Sequence, residues 1–230
     1  MTQDKTSDYL DKLEYIEKLN KHDEKPAWVV VWLHGLGADY NDFIPIIPKL
    51  KLNTSVKFIF PNAPYRAITV NNGYKMRAWY DIRDMNKLGN IVDHHGIAES
   101  VAQVNNLIEA LIADGWKSHR IVLAGFSQGG VIAYTTGIKF KHLLCGVIAL
   151  SCYLPDSQAL AQSYYVNKKT PFLACHGKQD MIIPYDVGLL AYNNLRTEGY
   201  HITWTSYSMG HSVCDEEIVD ISKWLRDKFI

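Results

Sequence analysis

Residues Ile121-Val122-Leu123-Ala124-Gly125-Phe126-Ser127-Gln128-Gly129-Gly130 decide the fold of this chain. The first four form an apolar run that reads as a buried strand. Gly125 to Gly129 match G-x-S-x-G, and a helical stretch over residues 129–139 follows at once. Strand, tight turn and helix form the context in which that motif places a serine hydroxyl above a sheet edge. The turn brings the chain close to itself on both sides of Ser127, and glycine at each flank leaves room for it. Ser127 is therefore a candidate nucleophile, and the rest of the chain must supply its base, an orienting acid and an oxyanion site.

Outward from this stretch, apolar runs alternate with helical patterns. Residues 27–33, 56–60, 144–151, 171–175 and 202–207 read as further strands. Residues 96–114, 185–197 and 213–229 read as amphipathic helices, and 42–52 as a short helix disturbed by Pro45 and Pro48. Residues 159–165 read as another short helix. Continuous apolar strands separated by helices predict a mainly parallel sheet covered on both faces, with the site at the carboxyl ends of the strands. Residues 65–88 form a long irregular region, of a length more often functional than not in a compact domain. Residues 1–25 read as a peripheral segment. Its apolar residues recur at helical spacing, although residues 13–17 also suit an edge strand. Residues 26–230 then form one domain, with neither repeat nor linker.

Composition excludes several classes of partner. Lys+Arg and Asp+Glu number 24 each, so the chain has no general attraction for nucleic acid or an anionic membrane surface. No apolar run is long enough to span a bilayer, and the polar N-terminus lacks a signal core. Cys145, Cys152, Cys175 and Cys214 are widely spaced and read as free thiols, which suits the cytoplasm. Neither a cofactor nor a metal is expected. The adjacent pair His94-His95 rarely reaches one ion together and reads as surface.

A serine hydroxyl needs a general base, and the base needs a group that fixes its tautomer. After Ser127 the histidines are His142, His176, His201 and His211. His211 lies in a small-residue loop opening the last helix, where it can turn back over the strand ends. His142 and His201 read as surface residues, and His176 as a hydrogen-bonded turn residue. Asp180, in the turn after the strand at 171–175, is the candidate acid. Its competitors Asp156, Asp186 and Asp215 are worse placed in the strand order or have other roles. The oxyanion site would combine Gln128 N–H with Leu36 N–H from the turn after the strand at 27–33.

Taken together, WLHGLGA (32–38), PNAP (61–64), MRAWYD (76–81), GFSQGG (125–130), SCYLP (151–155), CHGKQD (175–180) and YSMGHSV (207–213) resemble the acyl-protein thioesterase/carboxylesterase family of α/β-hydrolases. The resemblance runs from about Trp28 to the C-terminus. It implies an α/β-hydrolase fold with little or no lid, and hydrolysis of carboxylic esters through an acyl-enzyme. Some members of the family act on fatty acyl thioesters of proteins or on lysophospholipids. Position by position, the resemblance implies Ser127, Asp180 and His211 as triad, Leu36 and Gln128 as oxyanion donors, and Trp79, Leu154 and Ile182 near the acyl pocket. The expected substrate is a small acyl ester or an acylated protein, and the expected assembly a monomer or homodimer. The chain departs from the family at Met181-Ile182-Ile183-Pro184, at Tyr153 in place of tryptophan, and at His94-His95 in place of acidic residues. An alternative from another class is a binding protein on the same fold without catalysis, which a missing triad member would favour.

Overall fold

The structure is a computed structural model that describes residues 13–21, 25–84, 92–155 and 165–230. Nine strands are assigned in chain order among them: β1 (Tyr15–Leu19), β2 (Trp28–Leu33), β3 (Val56–Pro61), β4 (Tyr65–Ile68), β5 (Tyr74–Arg77), β6 (Ile121–Phe126), β7 (Gly146–Leu150), β8 (Phe172–Gly177) and β9 (Ile202–Tyr207). Four longer helices accompany them: α1 (His94–Ala113), α2 (Gln128–Lys139), α3 (Tyr185–Thr197) and α4 (Asp215–Lys228). Seven strands form one sheet in the order β1-β3-β2-β6-β7-β8-β9, and β4 pairs with β5 as a separate hairpin. Every neighbouring pair in the large sheet is parallel except β1 with β3.

The continuous apolar runs are explained by burial on both faces. All six residues of β2 are buried. Val29, Val31 and Leu33 face a core shared with α1, α2 and α3. Trp28, Val30 and Trp32 face a second core, closed by α4 and by a 3-10 helix at Ile44–Lys49. Each such side chain taken fully out of water contributes about 1.5–3 kcal/mol before chain entropy is counted.

Three local readings are sharpened. The segment at 42–52 is 3-10 rather than α, because Pro45 and Pro48 lack the N–H groups that an α-helix needs. At the N-terminus the edge-strand alternative holds, with Tyr15 to Leu19 paired antiparallel to Pro61 to Lys57. The region at 65–88 contains the β4–β5 hairpin, joined through Asn72 and Gly73, both at positive φ. The helix expected at 159–165 falls almost wholly outside the described residues.

Candidate active site

The site is built where β2, β6, β8 and β9 end. At the end of β6, Ser127 has φ 54° and ψ −120°, a conformation sparsely populated by non-glycine residues. Its N–H donates to Leu150 O at 2.9 Å, and its carbonyl accepts from Val131 N–H at 3.1 Å, so both neighbouring elements hold the turn. A Cβ on Gly125 would overlap the backbone of Gly129, and one on Gly129 would overlap the carbonyls of Leu33 and His34. The two motif glycines therefore let α2 start against the end of β2.

Three side chains meet there. Ser127 Oγ lies 2.9 Å from His211 Nε2, and His211 Nδ1 lies 2.7 Å from Asp180 Oδ2. Asp180 accepts at Oδ2, so Nδ1 carries the proton and Nε2 presents its lone pair to the serine hydroxyl. The Asp180 side chain is completely buried. Its other oxygen accepts from Ile182 N–H and Ile183 N–H, both at 2.9 Å, which fixes the carboxylate plane. Phe126 packs against the imidazole, ring centres 4.8 Å apart. The loops carrying Asp180 and His211 are joined by Lys178 N–H to Tyr207 O at 2.8 Å and Gln179 N–H to Met209 O at 3.0 Å.

The two N–H groups expected to face an oxyanion belong to Gln128, next to this serine in the chain, and to Leu36, in the loop after β2. Gln128 is the first residue of α2, so its N–H has no intrahelical carbonyl to bond. Leu36 follows Gly35, and a Cβ on Gly35 would stand 3.3 Å from the Phe126 ring and 3.4 Å from Ser127 Cβ. The β2 loop thus lies directly on the elbow. Next in that loop, Gly37 N–H donates to Arg77 O at 2.8 Å.

The remaining sequence expectations fall in different places. Trp79 shows no exposed surface, and its indole N–H donates to His34 O at 2.8 Å. The side chain is committed to the core beneath the β2 loop. Leu154 is half-buried, and Ile182, beside the Asp180 turn, is exposed. His176 is buried, and its Nε2 donates to Ile183 O at 2.9 Å, a turn-holding bond of the kind expected. Burial pushes its imidazole below the ordinary histidine value. Asp186 lies in the first turn of α3, and Asp215 pairs with Lys49 at 2.8 Å. Asp156 lies outside the described residues.

Two contributions escaped the sequence reading. His34 is buried, and its Nε2 accepts from Ala63 N–H at 3.0 Å while Nδ1 lies 2.7 Å from Gly35 O. The accepting Nε2 requires the proton on Nδ1, and burial pushes the ring below the ordinary histidine value, which favours its neutral form. His34 thereby ties the loop after β2 to the loop after β3. The second is the Gln128 side chain, whose Oε1 accepts from Trp79 N–H at 3.0 Å and whose Nε2 donates to Tyr80 O at 2.8 Å. A glutamine after a serine nucleophile signals nothing of this, since the partner segment lies about 50 residues away.

A parallel sheet with a strained serine between strand and helix, followed in chain order by aspartate and histidine, defines a serine hydrolase of the α/β-hydrolase fold. The family is narrower than that class. A sequence model of phospholipases/carboxylesterases matches residues 15–228, and the chain belongs to that family. It is 35% identical over 207 residues to acyl-protein thioesterase 1 of Yarrowia lipolytica, covering 86% of this chain and 90% of that protein. It is 31% identical over 202 residues to carboxylesterase SOBER1 of Arabidopsis thaliana, covering 86% and 89%. The crystal structure of SOBER1 superposes with a TM-score of 0.84 at 30% identity, covering 88% of this chain and 99% of that one.

Proposed function

We propose that this chain is a carboxylesterase in which Ser127 is the nucleophile, His211 the general base and Asp180 the orienting acid. The observation that carries the reading is the unbroken hydrogen-bond chain from Ser127 Oγ through His211 to Asp180, at 2.9 and 2.7 Å. Ser127 Oγ attacks the acyl carbonyl as His211 Nε2 takes its proton. The tetrahedral oxyanion is held by Leu36 N–H and Gln128 N–H. His211 then gives the proton to the leaving group, and an acyl-Ser127 ester remains. Water, deprotonated by His211, releases the acid and restores the serine.

The substrate is a carboxylic ester or a fatty acyl thioester, and the same groups serve both. Relatives named acyl-protein thioesterase 1 from several fungi support the thioester, and SOBER1, named a carboxylesterase, supports the ester. Half-buried Leu154 and exposed Ile182 line the acyl path in this reading, backed by Trp79 from the core. All four cysteines are free, in keeping with a reducing cytoplasm. No helix among the described residues is long and apolar enough to cross a membrane.

Turnover of p-nitrophenyl butyrate and labelling by a fluorophosphonate test the assignment. Ser127→Ala is expected to lose both while keeping the native fold. Full activity in that variant sinks it. Competition between a palmitoyl thioester and the butyrate ester then separates the two substrate classes.

A further inference from the structure

The two N–H groups proposed for the oxyanion come from the ends of different strands, β2 and β6. Donors aimed at a developing charge act only if their separation is fixed before the reaction. Backbone pairing of β2 with β6 ends at Leu33 and Gly125, short of both donors. Something beyond the sheet must therefore set the distance between Leu36 and Gln128.

A chain of buried polar groups spans that gap. It starts at the Gln128 side chain, which is only 2% exposed although amide side chains ordinarily face water. Its two ends grip backbone groups of consecutive residues, Trp79 N–H and Tyr80 O. The fully buried Trp79 ring carries the connection onward, its Nε1–H donating to His34 O at 2.8 Å. His34 O is one of the two carbonyls against which Gly129 packs, so this contact lies under the elbow itself. The His34 ring then fixes the next peptide through Gly35 O, and Leu36 N–H follows directly. Trp79 is itself anchored from α1, because Ser100 Oγ–H donates to its carbonyl.

We propose that the side chains of Gln128 and Trp79 form a strap that sets the distance between the two oxyanion donors. They are positioning residues for ester hydrolysis, distinct from the Gln128 backbone N–H. This rests on the oxyanion assignment made above. The strap's hydrogen bonds share no side chain with those linking Ser127, His211 and Asp180, so its loss acts on stabilisation of the tetrahedral oxyanion rather than on the base. A misplacement near 1 Å of a group aimed at the reacting atoms costs about 100-fold in rate.

Gln128→Met keeps the length of the side chain and removes both of its hydrogen bonds. Trp79→Phe keeps an aromatic ring in the core and removes the bond to His34 O. With p-nitrophenyl butyrate each variant is expected to lower kcat by about 10- to 100-fold, with KM within about twofold of wild type. The Ki of an alkyl trifluoromethyl ketone, whose Ser127 adduct carries the oxyanion, should rise by the same factor as kcat/KM falls. The pH midpoint of kcat/KM set by His211 should not move. The double variant should be no worse than about twofold below the weaker single variant, because the two side chains act in series.

Folded variants with wild-type kcat, or with reduced kcat and unchanged Ki for the ketone, overturn the strap. So do losses that multiply in the double variant. Should Gln128→Met not fold, Trp79→Phe carries the same test from the other end. Wild-type protein that neither turns over the ester nor takes the fluorophosphonate label would instead defeat the reading beneath it.

Discussion

At the residue scale, single side chains are committed to one protonation state by what surrounds them. His34 is buried with both ring nitrogens engaged by backbone, and buried His176 turns Nε2 to Ile183 O and, at 3.5 Å, to Asp180 Oδ2; of the three histidines it is His211 whose Nε2 lies 2.9 Å from Ser127 Oγ. Asp180→Asn keeps the shape of the acid and removes its charge. It is expected to lower kcat by roughly 10⁴-fold, as loss of a triad aspartate's charge does elsewhere, measured on the same butyrate ester. Glu217, in the first turn of α4, is a different case. It is fully buried, and neither carboxylate oxygen has a hydrogen-bond partner among the described residues. The Cys214 backbone and the Cys175 thiol approach it, and the Asp220 carboxylate opposes its ionisation. Burial is the main cause that pushes its carboxyl from 4.5 up to about 8. Between those values the native chain holds a proton that the unfolded chain has released, so this group lowers stability as pH rises across that window. Glu217→Gln should therefore raise the melting temperature more at pH 8 than at pH 5; an equal shift at both would refute the assignment. That Ser127, Asp180 and His211 converge was legible in the sequence, because each ends a strand or follows one in a small-residue turn. The roles of His34, the Gln128 side chain and Glu217 were not legible, because each depends on which distant loop or strand folds against it.

At the scale of elements, the site is set by how closely adjacent strand ends approach. A Cβ on Gly177, at the end of β8, would overlap the carbonyls of Met209 and Gly210 in the loop that carries His211. Both obstacles are backbone, so the loop must move. Gly177→Ala is expected to destabilise the fold by about 1–3 kcal/mol and to lower kcat through displacement of His211. A crystal structure of the variant, or its kcat and denaturant midpoint, checks both parts, and wild-type values for both would refute it. The strand–turn–helix at Ser127 was readable because its apolar run and its glycines are local signals. The β4–β5 hairpin was not, since its strands are four residues each and mostly exposed or half-buried, which leaves no alternating apolar pattern to read. The helix at 42–52 became 3-10 for a reason already visible in the two prolines, whose effect on helix type needs the actual turn geometry.

At the scale of the whole molecule, the sheet carries two separate cores, and β1 closes one edge. β1 protects β3 along Lys57 to Pro61, and Glu14 beside it bonds Asn62 at 3.0 Å and Arg77 at 2.8 Å. Removal of residues 1–21 should expose the unpaired edge of β3, lower the melting temperature and promote self-association. Light scattering and thermal unfolding of the truncated protein check this, and a monomer with unchanged melting temperature would count against it. The antiparallel entry of β1 also decides which end of the sheet the first and last described residues occupy. Glu14 sits at the strand ends that hold the site, beside Asn62 and Arg77. Phe229 stacks on Trp28, at the opposite end, where β2 begins. The molecule is thus polar along the strand axis as an object to be attached. Anchored through Ile230, it turns the face that carries Ser127 outward, away from its support; joined directly at Leu13, it turns that face toward whatever holds it.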